Sequence, residues 1–196
     1  PDSKWLLSGF IGTGGWNNKD VVLLNADGKS EMVNLTESGY SDGNAKWVLG
    51  GKAMIWNSDR SGYRSHGSWG SEDDTYIMFF DADTYNRFTL NKEDLALLEE
   101  ADKIEKQKQE KEKAEKEKKK DAKNKKEDKK ENDKKGSDKK EDSDKKEEEK
   151  SLTFDLDNRF DRIVRLTVNS SRLGDAVLSP RGDKLYYLAA FEGGYD

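Results

Sequence analysis

Cysteine is absent from these 196 residues, histidine occurs once and proline twice. Without cysteine there is neither a disulfide framework nor a thiolate metal site, which is compatible with a reducing cytoplasm or a periplasm. A single histidine, His66, leaves imidazole-based activation of a nucleophile only one place to occur. Long apolar runs are missing too, since no stretch approaches the ~18 residues of a membrane span. The start, Pro1-Asp2-Ser3, is neither a methionine nor a signal peptide, so a chain cut from a longer one is expected. Between 101 and 150 there is no arginine and no aromatic residue, and Ile104 is the one sizeable apolar side chain. Such a stretch cannot build a core.

That segment instead holds 21 lysines and 18 carboxylates, a net +3, so the −5 of the whole chain puts −8 on the flanks. The flanks carry the aromatics and glycines and are the folding material. Phosphate binding needs clustered positive charge, and here carboxylates interleave with the lysines. The run reads as a solvated spacer, with no nucleic-acid partner and no membrane insertion.

An internal repeat runs through the flanks. Pro1-Asp2-Ser3-Lys4 before Trp5-Leu6-Leu7 matches Leu49-Gly50-Gly51-Lys52 before Ala53-Met54-Ile55-Trp56, and Ser179-Pro180-Arg181-Gly182-Asp183-Lys184 before Leu185-Tyr186-Tyr187-Leu188. Each copy is a turn feeding a short strand. A second strand follows in two copies, Asp20 to Asp27 and Asp74 to Asp81. The third strand, Met32-Val33-Asn34-Leu35-Thr36, has its counterpart at Val164-Arg165-Leu166-Thr167, beyond the charged run. The charged run is therefore an insertion within one repeat, and the flanks are two parts of one discontinuous domain. A unit of 48 residues suits a four-stranded propeller blade, and near-continuous apolar strands suit blades that stack on both faces. At the start of the insertion Asn91 reads as a helix cap with Asp94 in the capping-box position, and Leu95, Leu98, Ala101 and Ile104 form a short apolar stripe. The region around Gly136-Ser137 reads as disordered.

Three stretches carry a resemblance. Asn34-Leu35-Thr36-Glu37-Ser38-Gly39-Tyr40-Ser41-Asp42, Ser58-Asp59-Arg60-Ser61-Gly62-Tyr63-Arg64-Ser65-His66-Gly67-Ser68-Trp69-Gly70, and Asp161 to Ser171 running into Leu185-Tyr186-Tyr187-Leu188 look like the propeller of bacterial tricorn-protease homologues. A lysine/glutamate insertion at this place is similar to those proteins as well. The resemblance covers both flanks, about 120 residues, although two copies depart from the usual Ser-Pro-Asp-Gly turn. It implies a parent that is a large serine peptidase, with two propellers ahead of a helical domain, a PDZ domain and a catalytic domain related to tail-specific proteases. None of that family's catalytic positions falls inside this chain. The resemblance implies that this segment guides or selects peptides, with the rest of the parent chain as partner and homo-oligomers as a family trait.

The expectation is an all-β chain of about two to three four-stranded, TolB-like blades of a partial β-propeller. Its parts are 1–83, the insertion 84–157 with a helix from about 91 followed by solvated helix or disorder, and 158–196. Two rivals stand beside the peptidase reading: a TolB-like propeller that docks proteins with no attached enzyme, and the propeller of a prolyl-oligopeptidase-like enzyme. Tyr63, Arg64, His66 and Trp69 are the candidates for contact with a peptide or protein substrate, because exposed aromatic and arginine groups in a blade loop suit polypeptide recognition. No catalytic residue, metal or cofactor is expected. Asp155, Asp157 and Asp161 lack the glycine and distal glutamate of a calcium loop. Arg181-Gly182-Asp183 sits where its repeat partners have turns, and Gly12-Thr13-Gly14-Gly15 lacks the ending of a phosphate loop.

Overall fold

Two strands, Ala53–Ser58 and Asp74–Phe79, are buried at every residue. Aromatic and β-branched side chains suit a pleated backbone, and a strand apolar on both sides needs cover on both faces. The computed structural model, which describes residues 2–12, 15, 18–64, 70–127 and 152–190, supplies that cover with three small antiparallel sheets. The first joins β1 (Trp5–Ile11), β2 (Lys19–Asn25) and β3 (Val33–Asn34) in that order. The second joins β4 (Asp42–Val48), β5 (Ala53–Ser58), β6 (Asp74–Phe79) and β7 (Ile163–Arg165), and the third pairs β8 (Arg172–Leu178) with β9 (Leu185–Ala190). Two α-helices complete the described residues, α1 (Ala82–Thr89) and α2 (Lys92–Glu127). The chain divides into two compact units, Pro1–Phe88 with Glu149–Asp196, and Thr89–Glu148.

The middle sheet alternates its side chains between two cores, as a period of two requires. Met54, Trp56, Tyr76, Met78 and Phe80 join Val21, Leu23 and Leu35 of the first sheet's segment. Ala53, Ile55, Ile77 and Phe79 join Leu178 of the third sheet. Full burial of Trp56, Phe79 and Phe80 is worth roughly 2–3 kcal/mol each.

β7 lies antiparallel beside β6, with Tyr76 opposite Arg165, Ile77 opposite Val164 and Met78 opposite Ile163. The two flanks of the charged run thus share one sheet. The repeat extends to an irregularity that the sequence does not announce. β4 and β5 slip register between Gly43 and Lys46, and β8 and β9 slip between Leu173 and Ala176, the same places in the two hairpins. The turns recur as well. Gly50 and Gly182 both have positive φ, +66° and +77°, and at Gly182 an added Cβ would also press on Leu49 at 3.2 Å.

The inserted unit is narrower than the 84–157 span expected. Phe154 and Leu156 pack against the first core, and Phe154 meets Trp5, Trp47 and Phe80 at ring-centroid distances of 5.0, 5.9 and 5.1 Å. The Asp155 amide donates to the Phe80 carbonyl at 2.9 Å, and Arg162 pairs with Asp155 at 3.0 Å while donating to the Phe79 carbonyl at 3.2 Å. On the other side α1, absent from the sequence reading, is capped by Asp81, whose carboxylate accepts from the Thr84 amide and hydroxyl at 2.7 and 2.8 Å. Tyr85 and Phe88 of α1 then pack their rings on Phe79.

Within its own unit, α2 begins behind Asn91, whose Oδ1 accepts from the Asp94 amide at 2.8 Å and whose Nδ2 donates to the Asp94 carboxylate at 2.7 Å. Glu93 and Asp94 sit in its first turn, where the helix dipole favours negative charge. Leu95, Leu97 and Ile104 are exposed. Gly136-Ser137, read as disordered, lies outside the described residues.

Excision of Lys103 to Lys150, with the ends joined by a short Gly/Ser loop, is expected to leave the melting temperature within ~3 °C, because closure entropy grows only logarithmically with loop length. Phe154→Ala is expected to cost ~3 kcal/mol in urea unfolding, since it empties an aromatic box. A large loss on excision, or none for Phe154→Ala, would reverse the boundary drawn here.

Candidate functional site

An aspartate at the second residue of β2 and another at the first residue of β6 organise the loop ends of their sheets. Asp20 accepts hydrogen bonds from Asn34 Nδ2 (2.9 Å), Thr36 Oγ1 (3.2 Å) and the Ser38 amide (2.9 Å). Asp74, fully buried, accepts from Arg165 Nη2 (2.8 Å), Thr167 Oγ1 (2.6 Å) and Ser170 Oγ (2.7 Å). The threonine hydroxyls in turn accept from the amides of Val21 (3.0 Å) and Thr75 (3.2 Å). A side chain so completes the ladder where β3 and β7 end.

Asp42 and Asp59 stand at the same end of the middle sheet as Asp74. Asp42 is buried at the start of β4, where Oδ1 accepts from Trp56 Nε1 at 3.1 Å and Oδ2 accepts from Ser38 Oγ at 2.5 Å. Arg60 reaches it at 3.4 Å and stacks over Tyr76, Trp56 and Tyr40 at 4.9, 5.5 and 5.8 Å. Asp59 accepts from the Ser41 amide at 2.9 Å and pairs with Arg64 at 3.9 Å.

Two of the four residues expected to touch substrate are placed here. Tyr63 is 63% exposed. Its carbonyl accepts from the Glu72 amide at 2.9 Å, closing the neck of the 63–72 loop. That neck is tight enough that a Cβ on Gly62 would fall 2.0 Å from the Glu72 carbonyl oxygen. Arg64 lies over the Tyr40 ring at 4.9 Å and donates to Asn18 Oδ1 at 3.1 Å and to the Gly39 carbonyl. It clamps the first sheet's loop to the second sheet's loop while staying half exposed. His66 and Trp69 lie outside the described residues, as do Thr13 and Gly14.

Beside Arg64 opens a cleft of about 480 Å³ whose walls include Phe10, Gly12, Asp20, Asn34, Glu37 and Gly39. Glu37 adopts a positive φ of 43°, held by Asn34 Oδ1, which accepts its amide at 3.0 Å. Arg159 fixes the outer wall by donating to the carbonyls of Asn34 and Leu35 and pairing with Glu37 at 3.0 Å. The sequence reading missed Asp20 and Asn34, although Asp20 already stood against Asp74 in the repeat alignment. Their roles depend on Thr36 and Thr167, whose distance along the chain from the second strands differs between the copies.

At this end the hydroxyls of Thr36, Ser38, Thr167 and Ser170 donate to carboxylates, an arrangement that holds loops in place. Among the described residues no group of three His, Cys, Asp or Glu side chains is placed to hold a metal ion, and Asp155 is committed to Arg162. None of their helices is long and apolar enough to cross a membrane. No protein-family model matches the chain, and no curated protein or solved structure is significantly similar to it.

Asp73 stands apart from its neighbours. Burial pushes its carboxyl above the ordinary aspartate value, the Ser71 hydroxyl offsets part of that, and the nearby Asp59 and Asp74 charges add to it. A carboxyl whose folded pKa is raised binds more protons in the folded state, so its contribution to stability declines as pH rises from the unfolded value of 3.8 through the folded one. Asp73→Asn, which keeps an acceptor for Ser71, is therefore expected to raise the melting temperature at pH 7 and to leave it unchanged below the unfolded pKa. An equal effect at both pH values, or a loss at pH 7, would refute this cause.

Proposed function

We propose that this chain is a non-catalytic segment of a β-propeller belonging to a tricorn-like serine peptidase, where it guides or selects peptides for a catalytic domain outside this chain. The observation that carries the reading is the hydrogen-bond-level equivalence of two successive sheets, the second of which a lysine/glutamate insertion interrupts between its third and fourth strands. Blades of a propeller are such equivalents, each a short antiparallel sheet stacked on the next, and the middle sheet is buried on both faces as an interior blade would be. Arg64, from the loop motif that resembles the tricorn homologues, donates to Asn18 and Gly39 in the wall of the cleft, and an exposed tyrosine beside that arginine suits a polypeptide. The hydroxyls of Thr36, Ser38, Thr167 and Ser170 are tied to carboxylates, which supports a contribution by access and selection.

The test uses the chain itself with unstructured, fluorescently labelled peptides. Saturable binding is expected in anisotropy titrations, weakened about fivefold by Tyr63→Ala, the size of an ordinary aromatic contact. Incubation with fluorogenic peptides is expected to give no turnover above buffer. Turnover that survives repurification and stops with a serine-directed inhibitor would overturn the non-catalytic assignment, and absence of peptide binding would remove the guiding role.

A further inference from the structure

The first two sheets can be compared residue by residue through their registers. Phe10 lies opposite Asp20 as Ser58 lies opposite Asp74, so Gly12 and Arg60, two residues on, are equivalent. Asn34 lies opposite Val22 as Arg165 lies opposite Tyr76, which makes Asn34 equivalent to Arg165. In the second sheet both places are filled by arginines directed at carboxylates. Arg60 reaches Asp42, while Arg165 donates to Asp74. In the first sheet the same places hold glycine and asparagine, and there the cleft opens.

Charge follows the same pattern. Asp74 accepts a guanidinium, whereas the partners of Asp20 are an amide, a hydroxyl and a backbone N–H, all neutral. The two arginines near the cleft are engaged elsewhere: Arg64 with Asp59, Asn18 and the Gly39 carbonyl, Arg159 with Glu37 and the carbonyls of Asn34, Leu35 and Leu156. A carboxylate in a partly enclosed site attracts a cation more strongly than one in bulk water, and the half-buried Phe10 ring offers a face on which a planar cation can lie.

We propose that this cleft binds the guanidinium of an arginine side chain presented by a peptide, in the place that Arg165 takes over Asp74 in the neighbouring sheet. The guanidinium fits because its planar fork can donate to Asp20 while stacking on Phe10, which an ammonium cannot do. That the carrier is a peptide rests on the peptide-handling reading above; that the cleft takes a guanidinium does not.

The test titrates the 196-residue chain with methylguanidinium, with the peptide acetyl-Gly-Arg-Gly-amide and with its citrulline counterpart, following backbone amides by NMR. Shifts centred on Ser38 and Gly39 are expected, with the arginine peptide binding about tenfold more tightly than the citrulline one, as a charge-assisted pair against a neutral one would. Asn34→Arg supplies the second sheet's own side chain and is expected to abolish binding. Gly39→Ser fills the mouth more gently, since nothing lies within 4 Å of a Cβ there, and is expected to weaken it while leaving the melting temperature unchanged. Equal affinity for arginine and citrulline peptides, or binding indifferent to both variants, would overturn the proposal. If methylguanidinium occupies the cleft and loses its hold in Asn34→Arg while peptides bind no better than it, the cleft stands and the peptide reading falls. If peptides bind through Tyr63 and methylguanidinium leaves Ser38 and Gly39 unmoved, the peptide reading stands and the cleft falls.

Discussion

A carboxyl group with no solvent exposure is tolerable only when its lone pairs are filled, and Asp74 imposes that condition on the rest of this chain. Its three donors all come from the far side of the charged insertion, from Arg165, Thr167 and Ser170. The chain must therefore leave the sheet after β6 and return within one strand spacing of it, about 4.8 Å. β7 has three residues and β3 only two, too few ladder bonds to hold a strand alone. The aspartate-to-threonine link adds a hydrogen bond where each ladder stops, buried at Asp74 and part-buried at Asp20, and it draws the loops beyond β3 and β7 over the ends of their sheets.

The return path is secured before β7 starts. Phe154 fills an aromatic box, the Asp155 amide pairs with Phe80, and Arg162 ties Phe79 to Asp155. Arg159 carries the connection on to the first sheet through the carbonyls of Asn34 and Leu35. With both ends of the excursion fastened inside the first unit, the closure entropy of the Thr89–Glu148 unit depends on its length only logarithmically. A long charged insertion is thermodynamically tolerable at this point for that reason.

The phase of the repeat was legible in the sequence because turn residues and apolar runs recur together, and the pairing of β6 with β7 follows from that phase alone. Other features were not. Leu152-Thr153-Phe154-Asp155-Leu156 alternates with the period of a half-buried strand, yet it fell inside the span read as the insertion. α1 offered only the Asp81-to-Thr84 cap and the pair Tyr85 and Phe88, whose half-burial depends on packing against Phe79 in another element. The shared register slip after Gly43 and Leu173 has no common residue type to announce it. At the loop end, residue type pointed to Tyr63 and Arg64, yet Arg64 is largely committed to Tyr40, Asn18 and Gly39. The cleft beside it arises from side chains that are small or missing, and that becomes visible only when one sheet is laid against the next.

Copies of one structural unit diverge where divergence is cheap, and here the pattern separates framework from surface. The aspartate, the threonine and the leucine before it recur at Asp20, Leu35 and Thr36 and at Asp74, Leu166 and Thr167, where exchange would strand a buried polar group or open the core. The differences at Gly12 and Asn34 gather at one end of one sheet. Truncating side chains normally lets the neighbourhood collapse into the space, and the cost depends on how far it can. The floor here is held from behind, because Asp20 binds the side chains of Asn34 and Thr36 and the Ser38 amide, and Arg159 holds the Asn34 and Leu35 carbonyls from outside. The smaller side chains therefore leave an open volume, bordered by a carboxylate, where the neighbouring sheet is filled.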